Sequence, residues 1–299
     1  MNGFINLLKP AGMNSAVAVS VVKRLLPKGT KVGHMGTLDP AAAGVLPIGV
    51  GFGARLFDYV IDKEKEYLCE LFLGVQTDTQ DADGRVLDVR PVQVSRENVE
   101  ALFPRFTGDI LQTPPAYSAV MKNGKKLYQL ARAGADASVG QRAAHVARIE
   151  LVDQLACHRY LLRIACGRGT YIRTILHDMG QLLGCGAYCP FLLRTRTGAF
   201  SLENAVLPED LEADRIPLLP ADGPILHFPR VVAGKKNADK VRNGNPISLS
   251  ALEAEPGAVC AQQVRVYLGD CFAGIGKTDG KCLVFRAVLP PDEIGKDEA

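Results

Sequence analysis

The chain has 299 residues, 47% hydrophobic and 22% charged, with 35 Lys+Arg against 32 Asp+Glu, eight cysteines and no tryptophan. This is an ordinary soluble composition, long enough for roughly two domains with a core each. It excludes a disulfide scaffold, and it excludes a membrane span of ~18 apolar residues, because the most apolar stretch, Gly44–Ile61, is broken by Pro47, Arg55 and Asp58.

The N-terminal apolar run stops at Lys9-Pro10 with no basic segment before it, so no signal peptide is read there and a cytoplasmic protein is expected. Ser15 is placed to cap a helix over Ala16–Leu26, with Val17, Val21, Val22 and Leu25 on one face and Pro27 as its stop. Lys31–Ile48 reads as Gly/Pro-punctuated loop and short strand, Ala54–Ile61 as a helix and Lys65–Leu73 as a strand. Thr77–Gly84 is an acidic, turn-rich loop, followed by a strand over Arg85–Val92 and a helix capped by Ser95 that runs through Phe103. Pro114-Pro115 forces extended backbone, after which Lys125–Ala133 reads as helical. His145–Leu155 and Tyr160–Cys166 read as paired strands. Thr170 then caps a long helix ending at Gly184, with Ile172, Ile175, Leu176, Met179, Leu182 and Leu183 as its buried stripe. Arg173 and His177, four apart on another face, are expected to point together into a cleft. Pro208–Pro229 reads as a linker. Beyond it, Pro246–Leu249, Gln262–Leu268, Cys271–Gly276 and Cys282–Val288 are expected to build a small β-barrel, and polar Pro290–Ala299 is expected to fray.

Charge is unevenly spread. Ala116–Thr174 holds ten Lys/Arg and three acids, a local excess of seven that leaves the remainder at −4. Such a segment is either a solvated basic face or a surface for a polyanion. The cysteines (Cys69, Cys157, Cys166, Cys185, Cys189, Cys260, Cys271, Cys282) contain one close pair, Cys185 and Cys189, without a second pair or a suitably spaced histidine. Reduced thiols are expected, not zinc.

Gly49-Val50-Gly51-Phe52-Gly53-Ala54 matches a dinucleotide fingerprint literally. That fold needs parallel βαβ units, whereas strand, loop and strand follow here, so tight packing at a helix start is expected instead. Gly33-His34-Met35-Gly36-Thr37-Leu38-Asp39-Pro40 sets a carboxylate and an imidazole in a loop stiffened by glycines and proline. Asp39 there is either an Asx-turn residue or a catalytic carboxylate held by an arginine. Gly167-Arg168-Gly169-Thr170-Tyr171-Ile172-Arg173 places a tyrosine and an arginine at a helix start that attracts anions, or simply a core tyrosine and a surface pair. Tyr67, on a strand, is a core residue by position alone. Lys122-Asn123-Gly124-Lys125-Lys126 is a basic loop, solvated or phosphate-binding.

Lys9-Pro10-x-Gly12-x-x-Ser15, the Gly33–Pro40 loop, Lys65-Glu66-Tyr67, Thr77–Gly84 and Gly169-Thr170-Tyr171-Ile172-Arg173-Thr174 together resemble the bacterial TruB-type tRNA pseudouridine synthases, in order and spacing. The tail, with Arg242-Asn243-Gly244-Asn245-Pro246, resembles that family's PUA-like barrel. The resemblance implies an α+β protein. Residues 1–222 would form a mixed, largely antiparallel sheet of the pseudouridine synthase fold, with a basic RNA-gripping insertion at about 120–145, and 223–299 a small PUA-like RNA-binding β-barrel. It further implies isomerisation of the T-loop uridine at tRNA position 55 to pseudouridine by base flipping, with no metal, nucleotide or other cofactor. Asp39 matches the nucleophile, Arg173 the arginine that pairs with it, and Tyr67 the tyrosine that stacks on the target base. Tyr171 and Leu192 match pocket residues, and His34 the histidine that fills the gap left by the flipped base. Lys9, Lys122, Lys125 and Lys126 are expected to contact the tRNA at its T-arm and elbow, and a monomer is expected. The family's pair of basic residues after the pocket leucine appears as Leu193-Arg194, so one phosphate contact is expected to be missing; Asn14 replaces a customary Ser/Thr. Two alternatives are a guide-RNA-dependent synthase, which the absence of long basic tails disfavours, and a non-catalytic tRNA folding factor, which the Asp39–Arg173–Tyr67 set disfavours.

Overall fold

The computed structural model describes residues 1–60 and 64–294. The chain opens on β1 (Gly3–Lys9), turns into α1 (Ser15–Arg24) and returns through β2 (Val32–His34) and β3 (Ala43–Val50). β1 and β3 pair antiparallel from Gly3↔Val50 to Lys9↔Gly44. Both are apolar on their two faces, as strands covered on both sides must be. Ile5, Leu7, Leu46 and Ile48 enter the main core. Phe4 and Val45 point the other way, into a second cluster shared with the C-terminal strands.

A short 3-10 turn over Gly51–Leu56 leads to α2 (Phe57–Val60), where the sequence reads one helix over Ala54–Ile61; Ile61 lies outside the described residues. β4 (Lys65–Leu73) follows with the expected bounds, then the ribbon β5 (Val75–Thr77) and β6 (Val86–Val89) around the acidic loop. The helix expected over Ser95–Phe103 is two pieces, α3 (Arg96–Glu100) and α4 (Phe103–Phe106), because Pro104 starts a new turn. Ser95 does cap the first, in a capping box with Asn98. β7 (Gly108–Gln112) precedes the basic insertion, which holds β8 (Met121–Lys122), β9 (Lys125–Lys126) and α5 (Leu127–Arg132). The expected hairpin is β10 (Arg142–Ala156) with β11 (Arg159–Cys166), antiparallel. After α6 (Ile172–Leu182) come β12 (Ala187–Tyr188), β13 (Leu192–Thr197) and β14 (Phe200–Ser201).

Apart from the separate ribbons β5-β6 and β8-β9, these strands form one sheet in the order β1-β3-β13-β4-β11-β10-β7, with β2 on β3, β12 on β4 and β14 on β13. Every pairing is antiparallel except β13 with β3, so the sheet is mixed and largely antiparallel. Its main core is closed by α6 through Ile172, Ile175, Leu176 and Met179. Leu182, expected in that stripe, is exposed, since the helix ends there and the chain turns away at Gly184.

Two caps differ from expectation. Asn14, not Ser15, caps α1 by accepting from the Val17 amide, which frees the Ser15 hydroxyl for other work. Val17 is consequently exposed, and Ala18, Val22 and Leu26 carry the buried stripe. Tyr171 occupies the cap position of α6, while the Thr170 hydroxyl donates to the Gly167 and His145 carbonyls one turn earlier.

The passage expected as a linker is packed. Leu219 exchanges both backbone hydrogen bonds with Phe4 at 3.0 and 2.8 Å, and Leu211, Ala221, Ile225 and Phe228 are buried. Prolines there forbid a regular ladder without forbidding burial. Beyond it, β15 (Arg230–Ala233), α7 (Ala238–Arg242), β16 (Ile247–Ser248), β17 (Leu252–Ala254), β18 (Val264–Leu268), β19 (Cys271–Thr278) and β20 (Cys282–Val288) make a six-stranded barrel-like sheet, β16-β20-β19-β18-β15-β17. β15, β17 and α7 are too short to show a period in sequence. Leu289 and Ile294 are buried against this core, so fraying does not extend over Pro290–Ile294; 295–299 lie outside the described residues. No helix among the described residues is long and apolar enough to cross a membrane.

Candidate active site

The loop between β2 and β3 carries Asp39, and almost every anchor around it is a backbone carbonyl or amide. The Ser15 hydroxyl, released from capping, accepts from the Leu38 amide and donates to the Leu38 carbonyl, both at 3.0 Å. The Gly12 amide donates to the Pro40 carbonyl at 2.9 Å. The Lys9 ammonium, 0% exposed as a residue, donates to the carbonyls of Pro10, Met13 and Pro40 at 2.9, 2.6 and 3.3 Å. This placement corrects the expectation that Lys9 contacts tRNA: it ties the first turn to the Asp39 loop from inside. Burial pushes its pKa down to about 8, against the pull of the Asp39 charge. Asn14, the departure from the family's first motif, serves as the helix cap and costs the loop nothing.

Arg173 reaches Asp39 from the first turn of α6. Its residue exposure is 3%, and its guanidinium donates to Asp39 Oδ2 at 2.8 Å and to Asp81 Oδ2 at 3.1 Å. The Thr79 and Tyr117 carbonyls accept from it at 2.7 and 3.1 Å. One planar cation thus bridges two carboxylates from separate loops, a geometry lysine cannot reproduce. Asp81 is a residue of this site that the sequence did not single out. It lies in the acidic loop, but Asp78, Asp81 and Asp83 look alike in sequence; only the fold buries Asp81, where Cys189 donates its amide to the Gln80 carbonyl beside it. Burial raises the Asp81 pKa, opposed by the Thr79 hydroxyl at 2.5 Å, the Arg173 cation and the Asp83 amide at 3.1 Å.

A pocket opens over this pair. Asp39, Asp81 and Arg173 line its polar side, and Ala42, Pro190 and Leu192 its apolar side. Leu192 thus shares a pocket with Asp39 and Arg173. Tyr67 and Tyr171 stand outside that lining, each within electrostatic reach of Asp39. Tyr67, 8% exposed on β4, has its hydroxyl pKa raised by burial, with the neighbouring Arg194 cation opposing. Tyr171 is held by Gln112, whose side chain accepts from its amide at 3.0 Å and donates to its carbonyl at 3.1 Å. His34 sits on β2 with a buried Nδ1 that has no hydrogen-bond partner, and burial together with the Arg194 and Lys126 charges lowers its pKa. His177 does not join Arg173 in the cleft; its Nε2 lies 3.3 Å from the Gln181 amide nitrogen.

The basic insertion is divided. Lys122 is committed within it, donating to the Asp136 carboxylate at 2.8 Å and to the Ser138 carbonyl at 2.7 Å. Lys125 and Lys126 are exposed. Arg194, read as the surviving member of a phosphate-binding pair, is 1% exposed, which corrects that expectation: its guanidinium donates to the carbonyls of Val45, Thr37 and Gly36 at 2.8, 3.4 and 3.1 Å. The fingerprint-like Gly49–Ala54 stretch is close packing, as expected. A side chain at Gly53 would collide with the Gly3 backbone. All eight cysteines are free thiols.

Against known proteins, the chain matches the TruB family pseudouridylate synthase N-terminal domain over residues 23–172 and the tRNA pseudouridylate synthase B C-terminal domain over residues 173–216. It is 40% identical over 279 residues to the tRNA pseudouridine synthase B of Alkaliphilus oremlandii, covering 92% of this chain and 93% of that protein. It is 38% identical over 287 residues to that of Clostridioides difficile, covering 93% and 94%. Among solved structures, a Cbf5-Nop10-Gar1 complex aligns with a TM-score of 0.73 at 26% identity, over 97% of this chain and 86% of that one.

Proposed function

The chain belongs to the TruB family of pseudouridylate synthases and is a stand-alone isomerase acting on tRNA; from its site we propose that it converts the T-loop uridine at position 55 to pseudouridine, with Asp39 as the nucleophile. The observation that carries this reading is the buried Arg173 guanidinium spanning Asp39 and Asp81, all three lining one pocket. A carboxylate aimed by a bridging cation is oriented before substrate arrives, which is where much of a rate enhancement originates.

In this reaction the Asp39 carboxylate bonds to the uridine as the N1–C1′ bond breaks, the detached uracil turns, and the carboxylate is released when C5 bonds to C1′; the C5 proton leaves and N1 gains one, so the product is an isomer. Nothing is oxidised or reduced. The target base is extruded from the T-loop at a cost of a few kcal/mol. His34 fills the space it leaves, Leu192 and Tyr171 enclose the uracil, and Tyr67 stacks on it and, once ionised, takes the C5 proton. Lys125 and Lys126 grip phosphates of the T-arm and elbow, with affinity that falls as salt rises. Lys122 shapes the insertion from within. Residues 1–222 supply this chemistry and 223–299 a PUA-like surface for RNA, and the enzyme works as a cytoplasmic monomer.

The test is release of tritium from tRNA labelled at uridine C5 by the purified chain alone. Wild type should release about one tritium per tRNA, and Asp39→Asn none. Binding without release would favour a tRNA folding factor, and release only on addition of a guide RNA would favour a guide-dependent synthase.

A further inference from the structure

Arg194 stands where β13 is flanked by two partners. Its register places it opposite Tyr67 on β4 and opposite Gly44 on β3. Gly44 has φ +122°, and a side chain there would enter the Arg194 backbone, so glycine is what lets the two strands close. From that point the guanidinium reaches the Gly36 and Thr37 carbonyls of the Asp39 loop and the Val45 carbonyl of β3. These three hydrogen bonds all end on carbonyls, and the hydroxyl of Tyr67, paired with Arg194 across the strands, feels the same cation. Arg196, two residues on, shows the ordinary arrangement: half-exposed and paired with the Glu64 carboxylate at 2.6 Å.

A fully buried cation bound to carbonyls is costly, and neutral donors would tie the same loop more cheaply. The retained charge calls for a second purpose, and the groups within its reach supply it. Tyr67, His34 and Lys9 all feel the Arg194 cation, and all three border the Asp39 loop. We propose that Arg194 is a positioning residue for the isomerisation: it fixes the Tyr67 ring against the Asp39 loop and supplies the positive charge that favours the Tyr67 phenolate, the form able to take the C5 proton. This rests on the reading of Asp39 and Tyr67 as the reacting groups. Arg194 touches no substrate and acts only through them.

The geometry and the charge separate in two variants. Arg194→Lys keeps the charge and loses the planar fork; Arg194→Gln keeps a short neutral donor and removes the buried charge, so its fold is not endangered by desolvation. Both are compared with wild type in single-turnover tritium release from C5-labelled tRNA across pH, with tRNA binding measured separately. Saturated rates should fall about tenfold for Arg194→Lys and about a hundredfold for Arg194→Gln, with tRNA affinity within about threefold of wild type. The rise of rate with pH should move to higher pH in Arg194→Gln and stay in place in Arg194→Lys. Rates within about twofold of wild type with an unmoved pH profile would overturn the proposal, including when the melting temperature drops. So would weakened tRNA binding at an unchanged saturated rate, which marks a phosphate contact. Absence of release by wild type itself would instead sink the reading of Asp39.

Discussion

Replacing Arg173 by methionine removes one cation and leaves two carboxylates facing each other. The substitution deletes ion pairs to Asp39 at 2.8 Å and Asp81 at 3.1 Å, and hydrogen bonds to the Thr79 and Tyr117 carbonyls. Breaking a buried pair by deleting one partner costs roughly 3–5 kcal/mol. The Asp39 side chain is 33% exposed and is partly rehydrated when freed, whereas the Asp81 side chain is 11% exposed and is not. The lower end, about 3 kcal/mol, is therefore expected, which is on the order of 10 °C in melting temperature for a protein of this size. The deficit also depends on pH. Burial already raises the Asp81 pKa, and removing Arg173 takes away one of the groups opposing that rise. A carboxyl with a raised folded pKa adds stability below its unfolded pKa and loses it as pH climbs through the folded value. Arg173→Met should accordingly melt closer to wild type at pH 5 than at pH 8. Adding Asp81→Asn should restore part of the loss at pH 8 and none of the activity. Calorimetric melting at both pH values, with tritium release at each, checks this. A pH-independent deficit under about 1 kcal/mol, or no restoration by Asp81→Asn, would show that the bridge is not what holds the two loops together.

Lys9 leads to a prediction of opposite sign. With a folded pKa of about 8 against an ordinary 10.5, wild type should gain stability as pH rises between those values, by at most about 3 kcal/mol. Lys9→Met should lack that gain, and parallel stability curves for the two proteins would refute the inward placement. Replacing Lys125 and Lys126 by glutamine should weaken tRNA binding and reduce the slope of log affinity against log salt by roughly one for each phosphate no longer neutralised. The melting temperature should not change, since both side chains are exposed; an unaltered salt slope would remove the insertion from the RNA surface. Gly44→Ala should cost roughly 2–5 kcal/mol through overpacking and backbone strain where β3 meets β13. Wild-type stability in that variant would mean that the close approach of the two strands is not required.

Much of this protein was legible as sequence because the signals are local. Lys65–Leu73 and Cys282–Val288 announce themselves as strands through composition alone, and Asp39 through a loop whose glycines and proline have little other reason to stand so close. The G-T-Y-I-R-T segment likewise marks Arg173 at the start of α6. Other features depend on where distant segments meet. Asp81 differs from Asp78 and Asp83 only in being buried beside Arg173. Lys9 and Arg194 look like phosphate ligands in sequence because a long cation is normally solvated. The tertiary structure turns both inward because the Asp39 loop leaves bare carbonyls that need donors. Asn14 takes the capping role expected of Ser15 for the same reason, a neighbouring loop 23 residues away needing a hydroxyl. Sequence by itself thus determined which carboxylate and arginine would meet. Only the three-dimensional packing decided which cations serve the interior and which are left exposed, because burial and hydrogen-bond satisfaction are properties of the assembled loops and not of any one segment.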